Sequence, residues 1–88
     1  MGMPKKKDLI KKLFRIPWPK DFTVRDLDAL MSKCNCKKFQ GGRGSGIGYR
    51  HELTGRKLQF DGPHPGNELY RDQIKRVKNY ILEIGEKE

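Results

Sequence analysis

Apolar residues recur along the chain with two different periods, and the switches between them divide it into elements. Val24, Leu27, Leu30, Met31 and Cys34 follow a 3.6-residue repeat and fall on one face of a predicted helix. Thr23 suits the N-cap, because its hydroxyl accepts from the free amides of the first turn, and Asp26 three residues on favours the positive end of the helix dipole. Asn35 is expected to end the helix, being one of the few residues that tolerate the left-handed backbone of a helix C-terminus.

Beyond Asn35 the period shortens. Cys36 to Gln40 can pair as a first strand, Tyr49 to Leu53 as a second, and Arg56 to Asp61 as a third, with Leu58 and Phe60 on one face. Thr54-Gly55 forms a tight turn between the last two, and the glycines of Gly41-Gly42-Arg43-Gly44-Ser45-Gly46 exclude a helix between the first two. The middle of the chain is thus a three-stranded antiparallel meander. After the rigid Pro63-His64-Pro65-Gly66-Asn67 connection the longer period returns. Tyr70, Ile74, Val77, Ile81 and Ile84 mark the buried face of a last helix, which Gly85 stops. On another side of it Arg71, Lys75 and Lys78 form a basic stripe, while Asp72 and Arg76 can pair.

The opening segment carries Lys5-Lys6-Lys7, then Leu9-Ile10 and Leu13-Phe14, before Pro17-Trp18-Pro19. A short helical turn that the prolines end is the most this pattern predicts. Residues 1–20 therefore read as a basic N-terminal arm, anchored by Trp18 on one domain spanning 21–88. The predicted class is α+β, in the order helix, three-stranded antiparallel sheet, helix, without internal repeats.

Composition narrows the picture. Eighty-eight residues suffice for one core, and with 34% apolar and 35% charged residues that core must be thin, one sheet layer under a few helices. Twenty Lys and Arg against eleven Asp and Glu give a net charge of +9, so polyanions are the natural partners. Nucleic acid is favoured over membrane, since no stretch approaches the ~20 apolar residues of a spanning helix. Cys34 and Cys36 stand too close for an ordinary disulfide, and His51 and His64 complete no zinc spacing with them. Two reduced cysteines, no metal or other cofactor, and a cytoplasmic location without a signal peptide are the expectation.

Two features carry candidate chemistry. The glycine-rich loop lets backbone amides approach an anion, and Arg43, Gly44 and Ser45 suit a phosphate; a plain hairpin connection is the competing reading. It is neither a Walker motif, lacking the Gly-Lys-Ser/Thr ending, nor a dinucleotide fingerprint, since no helix follows. His64, in its Pro-His-Pro setting with Asp61 nearby in sequence, is the candidate acid or base for metal-independent RNA cleavage, against a capping or packing role. His51, in mid-strand between Arg50 and Glu52, reads more readily as structural. Lys37, Lys38, Arg43, Arg50, Arg56 and Lys57 on the meander, with Arg71, Lys75 and Lys78 on the last helix, make a plausible phosphate track.

With Asn35-Cys36, Gly41-Gly42-Arg43-Gly44-Ser45-Gly46 and Pro63-His64-Pro65-Gly66-Asn67-Glu68-Leu69 in place, the chain resembles the HicA family of toxins over about residues 16 to 85. The lead-in Ile16-Pro17-Trp18-Pro19-Lys20-Asp21-Phe22 also resembles one branch of that family. The resemblance implies a double-stranded-RNA-binding-like fold, endoribonuclease activity on mRNA, and neutralisation by a HicB-like antitoxin. It also implies catalysis by histidine. The family's Gly-Ser-His triplet is Gly44-Ser45-Gly46 here, and Asp61 stands where a related branch has a further histidine, so His64 is the one motif histidine retained. A non-catalytic or strongly attenuated double-stranded-RNA-binding module is the alternative.

Overall fold

The computed structural model describes residues 5–40, 46–63 and 66–85, with the backbone alone at residue 40. Its elements run α1 (Lys6–Leu13), α2 (Val24–Lys33), β1 (Cys36–Gln40), β2 (Gly46–His51), β3 (Lys57–Asp61) and α3 (Arg71–Glu83). The expected order of helix, three-stranded antiparallel sheet and helix is present, preceded by one further helix.

Local chemistry sets the bounds of α2. Thr23 Oγ1 accepts from the Asp26 amide at 3.2 Å, and the Asp26 carboxylate accepts from the Thr23 amide at 3.1 Å, a reciprocal capping box. At the other end Asn35 has φ 60°, the left-handed conformation that turns the chain from helix into strand. The reversal lays α2 against β1.

The sheet has the order β1-β2-β3, with Cys36 opposite His51 and Tyr49 opposite Leu58. Its helix-covered face holds Cys36, Ile47, Tyr49, His51, Leu58 and Phe60, all buried. Cys34 and Cys36 are both buried and are not joined in a disulfide. The core continues through Leu27, Leu30 and Met31 of α2 and Ile74, Val77, Tyr80 and Ile81 of α3.

Three boundaries differ from the sequence reading. β2 covers Gly46–His51 and not Tyr49 to Leu53; Leu53 is 81% exposed in the following turn. That turn is longer than a two-residue hairpin. The Gly55 amide donates to the His51 carbonyl at 2.8 Å, the His51 amide donates to the Arg56 carbonyl at 2.8 Å, and Gly55 has φ 76°. Tyr70 is 49% exposed, because it precedes α3 in extended conformation, and Tyr80 is buried instead.

The opening segment departs most from expectation. α1 ends at Leu13, ahead of the prolines, and buries Leu9, Ile10 and Leu13 in the common core. An eight-residue helix is too short to stand alone in water. Packing on α2, aided by the contact of Lys12 with Asp26, supplies what the isolated sequence lacks. Trp18 does anchor this segment, half-buried against the core. Backbone bonds from Val24 to Asn67 and from Leu69 to Phe22, each 2.8 Å, fasten the lead-in of α3 beside the start of α2.

Candidate nucleic-acid interface

The helices cover one face of the sheet and leave the other open, and register decides what the open face carries. Lys37, Arg50 and Lys57 lie directly opposite one another across the three strands. The next row on the same face is Phe39, Gly48 and Gln59, and at the far end Gly46 pairs with Asp61. These residues alternate with the buried set, so the strand period of two that buries Tyr49 and Leu58 also exposes Arg50 and Lys57. Lys37, Lys38, Phe39, Arg50 and Lys57 line a shallow groove on this side, with Glu52 and Gly55 at one end.

Carboxylates engage some of these cations. Glu52 stands 3.3 Å from Lys37, and Asp28 stands 3.4 Å from Lys38. Among the described residues no carboxylate lies within ion-pair distance of Arg50 or Lys57. Lys57 Nζ stands 5.9 Å from the centre of the Phe39 ring. Among the described residues paired on the open face the only acidic one is Asp61, about 13 Å along the strands from the cation row at ordinary strand rise.

The predicted cations do not all meet on one surface. Arg71, Lys75 and Lys78 of α3 border a second groove, with Pro17, Trp18, Asp72 and Ile74, within the helical layer. Lys78 Nζ lies 5.7 Å from the Phe14 ring there. Arg56, at the β2–β3 turn, is drawn to Glu83 at 3.5 Å. The single track expected from sequence is therefore two basic surfaces with the sheet between them.

Arg43, Gly44, Ser45 and His64 lie outside the described residues, so their positions as candidate phosphate and catalytic groups are not assigned. Their attachment points are described. Gln40, which leads into 41–45, Gly46, which follows it, and Asp61, three residues ahead of His64, all sit at the same end of the sheet. Gln73 strengthens that end, donating to the Asp61 carbonyl at 2.7 Å while accepting from the Tyr70 amide at 2.8 Å.

His51 is placed clearly, and away from solvent. It is 2% exposed, on the covered face opposite Cys36. The Thr54 amide donates to its Nδ1 at 3.3 Å, and Thr54 Oγ1, which itself accepts from the Arg56 amide, lies 2.8 Å from the same nitrogen. Nδ1 faces the amide and hydroxyl of Thr54, and Nε2 is buried with no hydrogen-bond partner among the described residues. A histidine held in this way shapes the β2–β3 turn and is closed to RNA.

Two buried tyrosines complete the polar interior. Burial, with help from the Asp28 carboxylate that its hydroxyl reaches, pushes the Tyr49 phenol well above its ordinary range. Burial, and the Cys36 thiol 3.8 Å away, do the same for Tyr80, whose hydroxyl donates to the Arg56 carbonyl at 2.9 Å. Both stay protonated as structural donors. Among the described residues no cluster of His, Cys, Asp and Glu has the arrangement of a metal site, and no helix is long and apolar enough to cross a membrane.

Phe39 and Gly48 are features of this surface that sequence reading passes over. With β2 running Gly46–His51, Gly48 is a glycine inside a strand, which usually marks close approach of another group. No family model, no curated protein and no solved structure matches this chain.

Proposed function

We propose that this chain binds RNA and acts as a HicA-like toxin, a metal-independent endoribonuclease of mRNA in the cytoplasm that a HicB-like antitoxin neutralises. The observation that carries the binding half is the cross-strand row Lys37, Arg50 and Lys57 on the open face of the sheet. Three cations at fixed strand spacing on one face attract a phosphate chain at any base sequence. The cleaving half rests on the resemblance of the glycine-rich and Pro-His-Pro segments, together with the attachment of both at one sheet end.

In this reading His64 acts as acid or base on the 2′-hydroxyl or the leaving oxygen, and Arg43, with Gly44 and Ser45, holds the scissile phosphate. An antitoxin with an acidic surface would neutralise the protein by covering its cations. The α3 groove, lined by Trp18 together with Arg71 and Lys75, offers such a surface both charge and an aromatic anchor.

A second reading has its own support. The family histidine position is Gly46, and His51 is buried and turned inward, so cleavage would depend on His64 alone. A non-catalytic double-stranded-RNA-binding module is what remains if that one group does not suffice. Incubation of mRNA with the purified protein in EDTA, beside His64→Ala, separates the two. The toxin reading expects cleavage that falls by ~10²–10⁴ in the variant. Intact RNA that is nonetheless bound in a salt-sensitive manner would leave only the module.

A further inference from the structure

The solvent face of an antiparallel sheet is ordinarily polar, yet the open face here has an aromatic ring at its centre. Phe39 of β1 lies across Gly48 of β2. A Cβ built at Gly48 would stand 2.5, 2.7 and 2.9 Å from three atoms of that ring, closer than carbon atoms can approach. The ring therefore rests on the bare backbone of the central strand, and glycine at position 48 is what lets it lie there. Glycine weakens the middle of a strand, so its presence in the central one is tied to this contact.

A ring laid on a backbone has one face covered, and the Lys57 ammonium stands over Phe39, which is half-buried. Its surroundings on the same sheet face are polar and mostly cationic. Lys57 Nζ hovers 5.9 Å from the ring centre, Arg50 lies in the adjacent row opposite Lys57, and Gln59 lies beyond Gly48 in the row of the ring itself. The cation row, with Glu52 paired to Lys37 at its edge, stands on one side of the ring and Asp61 on the other, so a polyanion is drawn toward Arg50 and Lys57.

A flat π surface beside an array of cations is the chemistry that holds unpaired nucleotides. A base stacks on the ring while its phosphates meet Lys and Arg, and the stacking tolerates any base because each has a π face. A duplex keeps its bases stacked on one another and has no free base face to lay on a sheet. Charge alone would attract either form, but the half-buried ring on the open face distinguishes them.

We propose that the helix-free face of the sheet is a stacking platform for single-stranded RNA, with one unpaired base on Phe39, flanking phosphates on Arg50 and Lys57, and Gln59 beside the base edge. This rests on the RNA-binding reading and narrows it to unpaired RNA. The Lys57 ammonium, which covers the ring in the free protein, moves to a phosphate as the base arrives. Gly48 is a positioning residue and Phe39 the contact.

The platform is tested with the full chain and a ten-nucleotide oligouridine. Its affinity is compared with that for an abasic strand of the same length and charge, and for an RNA duplex of ten base pairs. The proposal expects the oligouridine to bind roughly 5- to 100-fold more tightly than the abasic strand, the usual range for one stacked base, and more tightly than the duplex. It expects the Phe39 ring proton resonances to move upfield when oligouridine is added, a readout that needs no variant. Phe39→Leu should lose that margin and Phe39→Trp should keep or widen it, in proteins whose thermal melts confirm folding. A ring that merely packs would make the two substitutions alike in RNA affinity. Equal affinity for oligouridine and abasic strand, with unmoved ring resonances, overturns the platform while salt-sensitive RNA binding persists. Absence of binding to every strand at low salt overturns the platform and the RNA-binding reading together.

Discussion

Lys12 of α1 and Asp26 of α2 share one charged hydrogen bond of 2.9 Å, and the same carboxylate oxygen closes the capping box on the Thr23 amide. A single side chain therefore both starts one helix and fastens another to it. Partial burial pushes the Asp26 carboxyl up, but the Thr23 amide and the Lys12 ammonium outweigh it and hold the group below its ordinary value. Because the folded value is depressed, the unfolded chain takes up the proton first on acidification. The stability that Asp26 contributes is present above about pH 4 and is lost as pH falls through the folded value. Asp26→Asn should cost about 1–2 kcal/mol at neutral pH, by loss of the cap and the charged bond. Urea unfolding from pH 7 down to pH 2 should show the gap between the variant and the parent closing in acid.

Leu13 tests whether the opening segment belongs to the core. It is fully buried, whereas an arm anchored only at Trp18 would leave it dispensable. Leu13→Ala should destabilise the protein by about 2–5 kcal/mol, the range for a buried leucine that leaves a cavity. A change below about 0.5 kcal/mol in chemical denaturation would be that of a surface site and would return the segment to an arm.

That segment also shows what the sequence could and could not reveal. The second helix was legible because its stop and start signals are local: Thr23 and Asp26 cap each other across three residues, and Asn35 takes the left-handed turn by its own side-chain chemistry. The first helix has no side-chain cap at Lys5, and its burial depends on a partner distant in sequence. Gly46 reads as the end of the glycine-rich loop and the second strand as starting only at Tyr49, since glycine disfavours strands; the reason for Gly48 is the Phe39 ring, visible only once register is known. The same holds for charge. Periodicity placed Arg50 and Lys57 on the sheet and Arg71 and Lys75 on the helix, but not that the sheet itself would separate them.

Gly48 and Phe39 should behave as one unit in a double-mutant cycle. Gly48→Ala forces the ring off the strand, at about 1–3 kcal/mol for an overpacked contact, partly offset by the better strand propensity of alanine. With Phe39→Ala already made, the ring atoms nearest the added methyl are gone and the change should cost less. Thermal melts of the two single variants and the double variant should thus yield a coupling energy of about 1 kcal/mol or more. Additive effects would mean that the ring does not rest on Gly48.

His51 is expected to matter for folding and not for RNA. His51→Ala removes the acceptor that ties the Thr54 amide and empties a buried site, so the cost should reach about 2–4 kcal/mol. Measured at a temperature where the variant is folded, RNA affinity and any cleavage per folded molecule should match the parent. A selective loss of cleavage with unchanged stability would place His51 in the chemistry and contradict its inward orientation.

Salt dependence distinguishes the two basic surfaces. Each phosphate neutralised by a cation releases a counterion, so the slope of log affinity against log salt reports how many cations touch the strand, at about 0.7 per contact for single strands. Lys37, Arg50 and Lys57 share one row of the open face, and neutralising all three to Gln should lower the slope for oligouridine by about 2 while weakening binding at low salt. The matching change of Arg71, Lys75 and Lys78 should leave that slope nearly intact, since their groove lies in the helical layer with Trp18. If the α3 variant loses the larger slope, the strand lies along the helices, and the open sheet face carries charge without contacting RNA.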